Sequence, residues 1–76
     1  MHAETIEYIV KALVDYPDQV SIQESSDDAT IALDVTVADS DMGRVIGRGG
    51  RVINALRTVA QAIPGSDGRE ITIEVE

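Results

Sequence analysis

The chain has 76 residues, no cysteine and a formal charge of −8, which describes one small domain and excludes disulfides and thiolate metal sites. No apolar run approaches the ~20 residues of a membrane span, and the start, Met1-His2-Ala3-Glu4, is polar and acidic. A single domain over residues 1–76, located in the cytoplasm, is therefore expected.

Residues 4–15 predict an amphipathic helix, because Ile6, Ile9, Val10, Leu13 and Val14 follow helical spacing and read as a core stripe. Glu4 and Glu7 suit the positive end of its dipole. Pro17 ends the segment by pushing Tyr16 out of the helical region. Val20 and Ile22 alternate with polar neighbours, and Ile31, Leu33, Val35 and Val37 alternate with Ala32, Asp34 and Thr36. Two strands joined by a polar turn at Ser25-Ser26-Asp27-Asp28 predict a hairpin with one buried face.

Asp39-Ser40-Asp41 offers capping groups for a short helix over 41–46. A glycine-rich loop at 47–50 follows, then a helix over about 51–63, with Val52, Ala55, Leu56, Val59, Ala60 and Ile63 at helical spacing. Pro64-Gly65-Ser66-Asp67-Gly68 breaks the chain. Ile71, Ile73 and Val75 then alternate with Thr72, Glu74 and Glu76 as a last strand. The order α-β-β-α-α-β predicts an α+β fold, a three-stranded sheet with helices packed on one face.

Charge is unevenly distributed along this order. Residues 42–63 carry Arg44, Arg48, Arg51 and Arg57 with no acid, a balance of +4. The remainder holds Lys11, Arg69 and all fourteen carboxylates, a balance of −12. A local basic segment on an acidic body indicates an anionic partner more strongly than the total argues against one.

The basic segment contains Val45-Ile46-Gly47-Arg48-Gly49-Gly50-Arg51-Val52-Ile53. Glycines there permit positive φ and close approach of another chain. The following helix begins at the loop with its unpaired N–H groups and positive dipole end. Arg48 and Arg51 add fork donors suited to phosphate oxygens, and Arg44 lies about one turn before the loop. Of the flanking aliphatics, some belong to the core and one or two line a groove for bases. Arg57, one to two turns beyond the loop, either reaches a phosphate or solvates its helix. Arg69 and Lys11 read as surface groups.

This stretch resembles the V-I-G-x-x-G-x-x-I signature of KH domains, and the element order resembles the type II, bacterial arrangement. The likeness extends over the chain to the small stand-alone KhpA-like proteins, with Asp15-Tyr16-Pro17 and Asp41-Met42-Gly43-Arg44 as further points of similarity. The resemblance implies an RNA-binding domain whose Gly47, Arg48, Gly49 and Gly50 clamp the backbone of about four nucleotides. Arg44 and Arg51 would assist, and Ile46 and Val52 would line the groove. Single-stranded RNA is the implied partner, bound with low sequence specificity and without a cofactor. The resemblance also implies self-association, or pairing with a larger KH-containing protein.

Other chemistries lack their residues. The P-loop needs G-x-x-x-x-G-K-[ST] after a strand, and neither it nor G-x-G-x-x-G occurs, so no enzyme is expected. With His2 the sole histidine, a structural zinc site is excluded, and Asp27-Asp28 and Asp39 with Asp41 read as turn and cap residues rather than ligands. Tyr8 and Tyr16 are the only aromatics, too few for a base-stacking platform. The alternative to an RNA clamp is a KH-fold interaction module that dimerises or supports a larger KH partner and binds RNA weakly itself.

Overall fold

The computed structural model describes residues 2–65 and 67–76; Met1, the His2 side chain and Ser66 of the predicted breaker lie outside the described residues. Its elements follow the expected order: α1 (His2–Leu13), β1 (Ser21–Ser26), β2 (Thr30–Thr36), α2 (Met42–Ile46), α3 (Arg51–Ala62) and β3 (Glu70–Val75).

The sheet order is β1-β2-β3. The β1–β2 hairpin is antiparallel, with Ser21 opposite Thr36, and β3 lies parallel to β2, with Leu33 beside Ile73. A parallel neighbour requires a crossover, and α2, the glycine loop and α3 supply it. Alternation sends Ile31, Leu33, Val35, Ile71 and Ile73 to the buried face. There they meet Ile6 and Val10 of α1, Val45 of α2, and Ile53, Leu56 and Ala60 of α3. Each Val, Leu or Ile side chain among them contributes ~1.5–3 kcal/mol on burial. The opposite face is polar, and Asp34 sits beside Glu74 on it.

Several boundaries differ from expectation. The first helix stops at Leu13, two residues early, and Leu13 is 38% exposed rather than core. The helix ends there because the Asp15 and Tyr16 amides turn to a distant acceptor, the Asp41 carboxylate. Tyr16, preceding Pro17, adopts φ −122°, ψ 71°. Ser25 and Ser26 belong to β1 rather than to the turn. The turn is closed by Asp27, whose Oδ1 accepts from the Ala29 and Thr30 amides, both at 2.8 Å. Those two donors, Ala29 first, hold the Asp27 carboxyl below the usual carboxylate range, with Arg69 adding a smaller effect of the same sign. Val37 lies past the end of β2 yet is buried. The last helix ends at Ala62; Ile63, preceding Pro64, is extended.

On α3 the core-facing residues are Ile53, Leu56 and Ala60, whereas Ala55 is exposed and Val59 is 38% exposed. The buried face is thus rotated from the one that the apolar spacing outlines. No helix among the described residues is long and apolar enough to cross a membrane.

Candidate nucleic-acid interface

The loop between α2 and α3 is a chain reversal that glycine makes possible. The Gly47 amide donates to the Gly43 carbonyl (2.9 Å), ending α2, and the Gly50 amide donates to Gly47 (3.1 Å), closing one tight turn. Gly47 lies at φ 77°, ψ 167°, a region that essentially only glycine occupies. A Cβ there would stand 2.6 Å from Val52 Cγ2 and 2.7 Å from the Val52 nitrogen. This position therefore excludes side chains twice, by torsion and by space. Gly49 is different: its φ is 65°, but a Cβ on it would meet nothing within 4 Å. The loop is consequently closely packed where it turns and open where it faces solvent.

Arg48 and Arg51 are exposed at this open side. Among the described residues neither lies within ion-pair distance of a carboxylate. The first turn of α3 begins at Arg51, so its amide groups and dipole face the same loop. Two cations, a glycine-lined backbone and a helix N-terminus together form an anion-accepting surface on an otherwise acidic body.

The aliphatic neighbours separate cleanly. Val45 is fully buried and Ile53 nearly so, which assigns both to the core, whereas Ile46 and Val52 are half-buried beside the loop. They are the two positions with apolar surface to offer.

The other arginines have different surroundings. The Arg44 guanidinium lies 3.2 Å from the Asp15 carboxylate, with both side chains largely exposed. Arg57, left open between phosphate contact and solvation, has a structural role instead. Its Nη1 donates to Asn54 Oδ1 (2.9 Å) and its Nη2 to the Ile73 carbonyl (3.2 Å). Gln61 Nε2 donates in the same way to the Ile71 carbonyl (3.1 Å). The Glu70 and Glu76 amides point inward to the hairpin, at Ala29 and Val35, so the Ile71 and Ile73 carbonyls point outward from the sheet edge. Arg57 and Gln61 therefore cover two exposed acceptors of the β3 edge, which guards it against strand addition.

The capping role expected of Asp39-Ser40-Asp41 is corrected by the structure. These residues form a 3-10 turn, and no side-chain cap bond is made at its start or at the start of α2. The Asp41 carboxylate is fully buried, and its two oxygens accept from the Asp15 and Tyr16 amides, both at 3.1 Å. It fastens the end of α1 to the beginning of α2. Sequence reasoning missed this function; the only signal was two short acidic motifs, Asp15-Tyr16-Pro17 and Asp41-Met42-Gly43-Arg44, 26 residues apart. Among the described residues no group of three or more His, Cys, Asp or Glu is placed to hold a metal ion.

A helix, a Gly-x-x-Gly turn and a second helix over one face of a three-stranded mixed sheet define a KH domain, here with the type II order of elements. The comparison with known proteins is specific. The family model described as KhpA/KhpB, KH domain, matches residues 3–75, and the chain belongs to that family. It is similar to the RNA-binding protein KhpA of Leifsonia xyli, 41% identical over 75 residues that cover 99% of this chain and 96% of the relative. The proteins of the same name from Clostridium acetobutylicum and Chlamydia trachomatis are each 39% identical over 72 residues. Those alignments cover 95% of this chain and 96% and 92% of the respective relatives. No solved structure matches significantly.

Proposed function

We infer that the chain binds short single-stranded RNA by clamping its sugar-phosphate backbone at Gly47-Arg48-Gly49-Gly50, with low sequence specificity. Arg48 and Arg51 supply charge to phosphate oxygens, Arg44 assists from the preceding turn, and Ile46 and Val52 give bases an apolar wall. The observation that carries this reading is the exposed loop with two cations that, among the described residues, have no carboxylate within ion-pair distance. The names of the relatives, RNA-binding proteins, agree with it. The reading requires no cofactor and no catalytic group.

The test replaces Arg48 and Gly49 together by aspartate. Gly49 tolerates the change because its Cβ position is open and aspartate is among the residues that enter the left-handed region. The variant should still fold cooperatively, melting roughly 5–10 °C below the wild type for the cost of a side chain at positive φ, yet lose binding to a labelled single-stranded RNA in fluorescence anisotropy. Normal binding by a folded variant would remove the loop from the site.

A second reading, pairing with another copy or with a larger KH-containing protein, is favoured by the exposed Val59 and Ala55 on α3. It complements the first. Two to three neutralised phosphates give a salt slope of only ~−1.4 to −2 for a single strand, hence weak binding per copy. Two linked copies recover affinity through effective concentration. Sedimentation of the pure protein over a range of concentrations distinguishes monomer from dimer.

A further inference from the structure

The geometry points to Asp15 as a built-in competitor for phosphate at Arg44, a residue that sets the clamp's affinity from outside the loop; this inference rests on the proposed RNA-binding reading. Three observations support it. The Asp15 carboxylate is 3.2 Å from Arg44 Nη2. The Asp15 backbone is anchored beside Arg44, because its amide donates to Asp41 Oδ1 at 3.1 Å and Asp41 immediately precedes the helix that carries Arg44. The pair is also accessible: the two side chains are 57% and 62% exposed, Arg44 and Asp15 respectively.

Those features determine what the pair can do. A buried ion pair would lock the arginine, and an untethered one would be lost in solvent. A tethered, exposed pair is worth little in stability, so a phosphate oxygen can displace the carboxylate from the guanidinium. Displacement still costs the existing attraction, and it leaves a carboxylate beside the incoming phosphate. Arg48 and Arg51 have no such partner among the described residues. The three cations therefore differ: two are ready for phosphate, and the third is discounted by an anion that the fold itself positions. Asp15 weakens RNA binding and flattens its dependence on salt.

Anisotropy titrations of a labelled, mixed-sequence single-stranded RNA at two salt concentrations test this with Asp15→Asn, Arg44→Gln and the double variant. Glu74→Gln, on the polar face of the sheet, controls for net charge, and the Arg48→Asp, Gly49→Asp variant controls for the site. Asp15→Asn should bind about two- to five-fold tighter than wild type. Its log–log salt slope should steepen by about 0.7, one phosphate contact. The gain should disappear in the Arg44→Gln background, and Glu74→Gln should gain less than Asp15→Asn.

Wild-type binding that Asp15→Asn leaves unchanged or weakens overturns this inference alone, as does a gain that survives Arg44→Gln or is matched by Glu74→Gln. Asp15→Ala gives a second route to the same answer should the asparagine itself bond to Arg44. Absence of RNA binding by the wild type and Asp15→Asn alike, or retention of binding by the loop variant, overturns the RNA-clamp reading and this inference with it.

Discussion

Asp41→Ala tests most directly what joins α1 to α2. It removes a fully buried carboxylate and orphans two amides, those of Asp15 and Tyr16, each 3.1 Å from an Asp41 oxygen. A part-buried donor left without a partner costs ~1–3 kcal/mol. Relief of the desolvated carboxylate offsets some of this, because an ion taken out of water carries its own penalty. The net expectation is a loss of about 2–4 kcal/mol, a large share of the ~5–15 kcal/mol that holds a typical domain together. For a domain of this size the melting temperature should fall by roughly 10–25 °C. Urea unfolding at neutral pH gives the free energy directly. Asp41→Asn should lie between wild type and alanine, since the amide keeps one acceptor and turns a donor toward the other N–H. A loss below about 1 kcal/mol for Asp41→Ala would refute the claim that this carboxylate joins α1 to α2.

The remaining predictions concern the loop, the sheet edge and the hairpin. Gly47→Ala should destabilise by about 3 kcal/mol or more, from torsional strain and the clash with Val52 together, while Gly49→Ala should cost only about 1–2 kcal/mol; chemical denaturation of the pair checks the contrast, and equal costs would contradict it. Arg57→Ala should cost about 1–2 kcal/mol by uncovering the Ile73 carbonyl and leave RNA affinity within about two-fold; a large affinity loss in a folded variant would return Arg57 to the binding site. Asp27 has a depressed carboxyl pKa in the folded state, so its contribution is present above the unfolded value of about 4 and is lost as pH falls through the folded value. The stability gap between wild type and Asp27→Asn should therefore be constant near neutrality and narrow under acid below about pH 4, as followed by thermal melts; a gap that widens there would reverse the sign.

What could be read from the sequence was what repeats locally. Period-two alternation located β2 and β3, because Leu33 and Ile73 each need only their own strand to reveal an inward face. The glycine loop was legible for a similar reason, since its constraint lies within six residues, from Gly47 to Val52. The misplaced features depend on distant partners. The end of α1 is set by Asp41 from 26 residues away, so the apolar stripe ran on through Leu13 and Val14 toward the local stop at Pro17. Asp41 looked like a local cap because aspartate before a helix usually is one. Arg57 stayed open between phosphate contact and solvation until β3, 16 residues on, supplied a carbonyl. The face that α3 buries was ambiguous because Val52, Ala55 and Val59 continue the apolar spacing past the edge of the core.

Mapping RNA onto the backbone amides by NMR tests the central claim most directly, since titrating unlabelled single-stranded RNA into the isotope-labelled protein reports position by position. The account predicts that the perturbed amides cluster at Arg44, at Ile46 to Val52 and through the first turn of α3, with Thr72 and Glu74 on the polar sheet face unmoved. Perturbations centred on that sheet face, or none at high micromolar protein, would contradict it.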